Sequence, residues 1–417
     1  MIARTVARRH GNRKARHQRS AKLRAQRRSR RRARKLALRA RGKRRCCPRA
    51  RNSLLARMLA PLREAIEQAV GKEREARWFP VLSTLAMTLC GIVYHLFGLS
   101  SMRAVVDKAK YVPQLSLTGV RRSTLSDAFN SRLRLDVVRE TFRVLLLRFG
   151  TALPLRFGKF RHLAAIDSTL LACAPKQLWA KYRRGKNAAK AHVCFDVAKG
   201  IPEQLAISAG RVHDRQHFEQ FLKRGWTYLI DRAYNDYRAF DELIELRIFF
   251  VTRLKSSAVY RVVRRNKLCR RHRKLGVISD EVVRLGSDDT EMHNDLRLVT
   301  FRAEDGKVLH FLTNRLDLTA PSIANLYRAR WGIELFFKFL KRTLRAARLL
   351  ARSEVGVEIH VLLALITDVL LKCLARAAGK WTRPQRHVPA QFLRVVRERL
   401  FFAWTCELQI LLASVFT

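Results

Sequence analysis

The sequence predicts an α/β protein in which a helical region precedes the sheet and a mostly β insertion interrupts it. Three observations predict this. Apolar residues recur with a 3.6-residue period between residues 53 and 150; the pattern changes near residue 157 to short strands alternating with helices; and strand-like segments joined by polar turns fill 255–318.

The chain begins with a basic arm, 1–52. Residues 1–51 hold 23 Lys or Arg and no acid, and the first carboxylate is Glu64. Such a segment repels itself and is expected to stay disordered until it meets a polyanion; a reading frame begun too far upstream would give the same composition. The formal charge of +53 over 417 residues exceeds what solubility requires. It points to nucleic acid, whose phosphates release counterions on binding cations.

The eight cysteines show no metal-ligand spacing, which suits reduced thiols in a cytoplasmic protein. The basic start is followed by no apolar stretch, so no export signal is expected. Residues 80–97 and 355–374 are apolar, but the second carries Glu358, His360, Asp368 and Lys372, and both read as buried helices rather than membrane spans.

Residues 53–150 read as helical, in ARMLAPLREAIEQAV and again in LRLDVVRETFRVLLLRF. Between them RRSTLSDAFNSR places Ser123 at an expected N-cap with Arg121, Arg122 and Arg132 nearby, which suits a helix meeting phosphate or equally a surface helix in a bundle. Further on, FRHLAAIDSTLLACA is a strand; HVCFDV and EQLAISA form a hairpin about AKGIP. DRQHFEQFLKR reads as a helix, WTYLID as a strand, YRAFDELIEL as a helix and RIFFVTRL as a strand. The insertion holds AVYRVVRR, GVISDEVVRLG, LRLVTFRA and KVLHFLTNR, and helix returns at 319–348 and 354–376.

Two acids stand where packing gives no reason for them. Asp167 lies inside the apolar strand LAAIDSTLL, and Asp231 ends the apolar strand TYLID. A carboxylate so placed is unfavourable unless it is paired or holds a metal. Either Asp alone reads more readily as a strand-end cap or an ion pair with a neighbouring Arg. Glu334 adds weight, because its helix is apolar nearly all round and should be largely buried. On one continuous helix, Tyr327, Arg330, Glu334 and Lys341 would fall within about 60° of one another. An exposed Arg330–Glu334 salt bridge is the plainer alternative. Three separated acids suit two Mg²⁺ or Mn²⁺ ions with room left for water and phosphate, and Arg330 and Lys341 would then clamp the phosphate.

YRARWGIELFFKFLK resembles the Tyr-x2-Arg-x3-Glu-x6-Lys signature of the insertion-sequence-four family of DDE transposases, on Tyr327, Arg330, Glu334 and Lys341. Asp167 in AAIDSTLL and Asp231 in LIDRAYND, followed by Arg232 and Tyr234, lie where that resemblance requires them. KAHVCFD, VHDRQHF and FFVTRLKS are also similar, and the match covers about residues 53–376. The resemblance implies a ribonuclease H-like core with Asp167, Asp231 and Glu334 as catalytic metal ligands. It also implies cleavage at inverted-repeat ends, joining of 3′ ends to target DNA, and a homodimer acting on paired ends, in some relatives through a hairpin intermediate. Two departures stand out. Ala233 replaces the usual Gly after Asp-Arg, and no Trp occurs in 255–318, where some relatives hold a flipped base; Phe301, His310 or Phe311 could stack instead.

The expected layout is a basic arm (1–52), a helical DNA-binding region (53–150), the first part of the core (151–254), the β-rich insertion (255–318), the helical remainder of the core (319–376) and a C-terminal helical tail (377–417). Arg232, Tyr234 and Lys190 join Tyr327, Arg330 and Lys341 as DNA-contact candidates, although an exposed Lys190 reads more readily as solvated. His213 and Asp214 stay ambiguous. A cytoplasmic, nucleoid-associated bacterial protein is expected, the alternatives being a nuclease with the same core or a degenerate transposase that only binds DNA.

Overall fold

Among the described residues ten strands form one sheet, and helices pack against it. The computed structural model describes residues 54–71, 74, 78–79, 82–109, 120–150, 157, 160, 162–232, 236–287, 291–377 and 391–398, with side chains from residue 60 onward. The arm therefore lies outside the described residues, as does almost all of the C-terminal tail. The chain divides into two units, Met1–Arg57 and Met58–Thr417, and the sheet with its helices belongs to the second.

The helical region of this second unit holds α1 (Leu54–Val70, which begins in the first unit), α2 (Thr84–Phe97), α3 (Met102–Ala109), α4 (Arg122–Phe129) and α5 (Arg132–Gly150). Ser83 caps α2 by accepting from Ala86 N–H, and Gly98 ends it in the left-handed region at φ 61°. The expected cap at Ser123 is not formed. The chain arrives extended at Arg121, which is the N-cap without a side-chain bond, so Ser123 falls inside the first turn.

The sheet begins with β1 (Leu163–Cys173), then β2 (Lys181–Arg183), β3 (Lys186–Asp196) and β4 (Ile201–Ala209). The expected hairpin is β3–β4, turning at Gly200 with φ 73°. The segment expected as one helix at 214–224 is instead a single turn, α6 (Arg215–Phe218), followed by a 3-10 turn. There follow β5 (Thr227–Leu229), α7 (Tyr237–Glu245), β6 (Phe249–Arg253), β7 (Tyr260–Arg265), α8 (Arg270–Lys274), β8 (Val277–Leu285), β9 (Leu296–Arg302) and β10 (Val308–Thr313). Helices α9 (Ala320–Ala329), α10 (Trp331–Arg342) and α11 (Glu354–Ala377) complete it.

The order across the sheet is β2, β3, β1, β5, β6, β10, β9, β8, β7, with β4 on the edge of β3 that β1 leaves open. Strands β1, β5 and β6 run parallel, while β10 returns antiparallel to β6. The β-rich segment is therefore not a separate layer: its strands carry the same sheet outward. Under it lies a core that includes Phe240 and Phe250, stacked at 4.5 Å, with Tyr228, Leu298 and Leu312.

The stretch expected as one helix at 319–348 is broken at Arg330. There Arg330 N–H donates to Tyr327 O and Ile333 N–H to Arg330 O, both bonds spanning three residues, while Arg330 itself keeps right-handed helical dihedrals (φ −53°, ψ −36°), and α10 stops at Arg342. Trp331 is 53% exposed, so α10 is buried on one side rather than all round.

No single helix among the described residues is long and apolar enough to cross a membrane, although α2 and α3, bent by 104°, pass together by length and composition. The apolar segments at 84–97 and 354–377 are instead mostly buried inside the protein. In α11 the buried acid and base are paired: Lys372 Nζ lies 2.5 Å from Asp368 Oδ2 and donates to Gly200 O at 2.6 Å. Glu358 accepts from Arg139 of α5 at 2.6 and 2.8 Å.

His95 of α2 and His360 of α11 hold the turn between α10 and α11. His95 Nδ1 lies 2.7 Å from Leu344 O, and His360 Nε2 lies 3.1 Å from Ala346 O. Burial pushes His95 down to about 4, against the raising effect of the Leu344 and His360 carbonyls, and pushes His360 well down as well. A depressed histidine contributes stability that is complete above the unfolded value near 6.5 and lost as pH falls toward 4, because the unfolded chain then takes up the proton first. Unfolding midpoints measured from pH 7 to pH 4 should show wild type losing on the order of 2–3 kcal/mol more than His95→Gln. Parallel pH profiles would show that this pair is not the acid-sensitive element.

Candidate active site

The parallel register of β1 and β5 pairs Ala165 with Leu229. Asp167 and Asp231 each lie two residues beyond that pair, so backbone geometry alone puts both at one level on neighbouring strands, at the carboxyl end of the parallel segment. Asp167 is still in strand; Asp231 follows the last backbone bond of its strand, from Ile230 N–H to Val251 O. Glu334 comes from the first turn of α10, four residues past Arg330.

The three acids meet at one guanidinium. Arg330 Nη1 lies 3.9 Å from Asp167 Oδ2 and 3.7 Å from Asp231 Oδ2, while Nη2 donates to Glu334 Oε1 at 2.6 Å. The Arg330 side chain is 12% exposed and those of the acids 27–35%, so the cluster opens to solvent on its carboxylate side. Burial is the main reason that the Asp167 carboxyl is pushed up to about 6. The Ser168 N–H and Arg330 oppose the shift, and the Asp231 and Glu334 carboxylates add to it.

Three carboxylates against one guanidinium leave excess negative charge in a half-buried place. Hard oxygen donors with surplus charge are the donor set that Mg²⁺ or Mn²⁺ takes, so the residues fit a divalent ion in kind and in charge. Among the described residues no three His, Cys, Asp or Glu side chains form a ready-made metal cage. What the carboxylates share in this arrangement is Arg330.

Of the remaining candidates, Tyr327 is at the site: its ring packs 5.1 Å from Phe311 and 5.7 Å from the Arg330 guanidinium carbon. Burial raises its phenol, with Arg330 and Arg253 acting in the opposite direction. Arg253, at the carboxyl end of β6, was not singled out by sequence reasoning; its only signal is its place at the end of the strand run FFVTR. Lys341 is two turns along α10 from Glu334, half-buried, with its ammonium lowered by that burial and no ion pair among the described residues. Arg232 is exposed directly after Asp231, and Tyr234 and Ala233 lie outside the described residues.

Lys190 is not brought to the acids. It pairs with Leu170, three residues along β1 from Asp167, and therefore faces the other side of the sheet. There it donates to Val212 O at 2.7 Å and lies 3.2 Å from Asp214. Asp214 also lies 3.4 Å from His192 Nδ1, and His192 Nε2 is 2.8 Å from Ser208 Oγ. This network ties the loop after β4 to the sheet. It gives Asp214 a structural setting that the sequence left ambiguous, and it explains why Lys190 is 13% rather than fully exposed.

A mixed sheet offering two aspartates from neighbouring parallel strands and a glutamate from a following helix is the arrangement of an acid-triad enzyme, and its strand order is consistent with a ribonuclease H-like core. The family model described as the transposase DDE domain matches residues 158–369, from just before β1 into α11. A Sinorhizobium fredii protein whose name marks it provisionally as a transposase is 33% identical over 255 residues, 60% of this chain and 71% of that one. A Geobacillus stearothermophilus protein, similarly named as the transposase of an insertion sequence element, is 26% identical over 341 residues, 80% of this chain and 86% of its own. A third, from Synechocystis, is 24% identical over 302 residues, 71% of this chain and 83% of its own, and is likewise named for an insertion sequence element. The chain belongs to the DDE transposase family of insertion sequences.

Proposed function

We propose that this transposase cuts DNA at the inverted-repeat ends of its element and joins the freed 3′ ends to target DNA, with Asp167, Asp231 and Glu334 as the catalytic acids. The observation that carries this reading is the meeting of the three carboxylates at Arg330, drawn from two strands and a helix far apart in sequence. The acids would hold two Mg²⁺ or Mn²⁺ ions, which when bound supply an activated oxygen nucleophile and stabilise the leaving oxygen.

The chain's own residues do the rest. Arg330, at the α9–α10 junction, opposes the effect of burial on the Asp167 carboxyl, holds Glu334 in place and presents a planar donor set to a scissile phosphate. Tyr327 orients Arg330 through its ring, and Lys341 and Arg232 add cations beside the path of the strand. Lys190 is held in the Val212–Asp214 network and serves the fold on the far side of the sheet. In this reading the arm (1–52) and helical region (53–150) bind DNA, the core (151–254 and 319–376) does the chemistry, and 255–318 extends its sheet. Work on paired ends calls for a homodimer.

The test is cleavage of DNA carrying the inverted repeats that flank this reading frame, with Mg²⁺ or Mn²⁺, comparing wild type with Asp167→Ala. Metal-dependent nicking at the repeat boundary should occur and be lost in the variant. Strand transfer of a 3′-hydroxyl end separates a transposase reaction from simple nuclease action. Tight binding without nicking by wild type would overturn the reading.

A further inference from the structure

The short helix α8 belongs to neither the acid site nor the core, since none of its residues is buried. Its segment, KLCRRHRK, carries Lys267, Arg270, Arg271, Arg273 and Lys274, none of which makes an ion pair among the described residues. Basic residues on an edge strand often serve only to prevent edge-to-edge pairing. That explanation suits β7, whose Arg261 and Arg265 face Glu291 and Glu281. It does not suit α8, which lies past the end of the edge strand.

Register places α8 relative to the acids. The level two residues beyond the Ala165–Leu229–Val251 row holds Asp167 and Arg253, and it continues through Phe311 and Val299 to Asp280 of β8. Helix α8 immediately precedes β8, so it stands at the same end of the sheet as the acids. It is displaced across five strand spacings, roughly 24 Å at ~4.8 Å each. Its root is rigid. Asn266 donates to Asp280 through its backbone at 2.8 Å and its side chain at 2.9 Å, and Arg297 holds Asp280 by two bonds of 2.8 and 2.7 Å. Between α8 and the acids lie Arg302, exposed at the end of β9, and Arg253.

We infer that α8 is a second docking point for the phosphate backbone of duplex DNA whose reacting strand lies at the acid site. A duplex laid across this end of the sheet would reach α8 about seven base pairs from the acids at ~3.4 Å per pair. The ligand chemistry is the phosphodiester backbone, and its source is either an element end or target DNA. This inference rests on the DNA-processing function proposed above.

The experiment measures binding of the full chain to two duplexes, one ending in the inverted repeat and one of random sequence, across a range of KCl concentrations. Wild type is compared with Arg270→Ala/Arg271→Ala/Arg273→Ala/Lys274→Ala and with Arg270→Lys/Arg271→Lys/Arg273→Lys. Because α8 buries nothing, both variants should keep the wild-type melting temperature.

The alanine variant is expected to flatten the slope of log affinity against log salt by about 3.6 if all four cations contact phosphate, close to 0.9 for each lost contact, and the lysine variant to keep it. Flattening on both duplexes is the result expected of a backbone contact; flattening on the repeat duplex alone ties α8 to the element end. An unchanged slope in the alanine variant, with wild type binding normally, overturns the inference and leaves the proposed function intact. A changed oligomeric state with an unchanged slope also overturns it, in favour of a second copy of the chain on this edge. Absence of salt-dependent DNA binding by wild type overturns both readings.

Discussion

Glu334→Gln is expected to abolish DNA cleavage while leaving DNA binding nearly intact. The substitution keeps the size and planarity of the side chain, and the amide oxygen can still accept from Arg330 Nη2, now 2.6 Å from the carboxylate. What it removes is one negative charge and one hard anionic donor from a set of three. The fall in cleavage rate should be at least about a hundredfold, the upper range seen when even a hydrogen-bond partner of a metal ligand is altered. Binding should change little, because one fewer acid lessens repulsion of phosphate. The measurement is single-turnover cleavage with Mg²⁺ alongside equilibrium binding of the same duplex. Cleavage within a few-fold of wild type would remove Glu334 from the catalytic set, whereas parallel loss of binding would assign it to the architecture of the α9–α10 junction.

The largest effect on stability is expected at Lys372. Its ammonium and the Asp368 carboxylate are both wholly buried in α11, and the ammonium also holds Gly200 O at the β3–β4 turn. Burial lowers the Lys372 ammonium and Asp368 raises it again, so the pair persists by mutual support. Lys372→Met would strand a buried carboxylate and should destabilise the protein by about 3–5 kcal/mol. The double variant Asp368→Leu/Lys372→Met removes both charges and should recover most of that loss. Urea unfolding of wild type, both single variants and the double variant gives the coupling directly. Additive losses would mean that the two charges do not depend on each other.

These two sites differ in how plainly the amino-acid order announces them. Asp167, Asp231 and Glu334 were legible because each interrupts an apolar run, and an acid in such a run requires a partner that packing cannot supply. Asp368 and Lys372 also interrupt an apolar run, and their i,i+4 spacing puts them on one face of a helix. Sequence reasoning used them only to exclude a membrane span and did not see that they close on each other and on Gly200.

Local pattern determined most of the elements: the parallel-strand acids, the β3–β4 hairpin, the strands of 255–318 and the long helix α11. These follow from periodicity and turn chemistry, which act over a few residues. Local pattern failed where chain geometry turns on a single residue. The junction at Arg330 looks helical on both sides, so one continuous helix was expected; the structure interrupts it there with bonds spanning three residues, and α9 lies on β6, β9 and β10 while α10 lies on β1. Ser123 was a suitable cap by type, but the helix begins where the incoming chain stops being extended.

What the sequence determined by itself was the composition of the candidate site: three acids, an arginine, a tyrosine and a family signature, each readable from residue type and spacing. Only the tertiary structure decided which side of the sheet each residue faces and which elements share an edge. It separated Lys190 from the acids, brought Asp167 and Asp231 to one level, and set α8 at the same end of the sheet as the acids. The physical reason is that strand register and sheet order are set by pairings between segments distant in the chain. One residue of shift turns a side chain to the opposite face, and no local pattern in either strand records its partner.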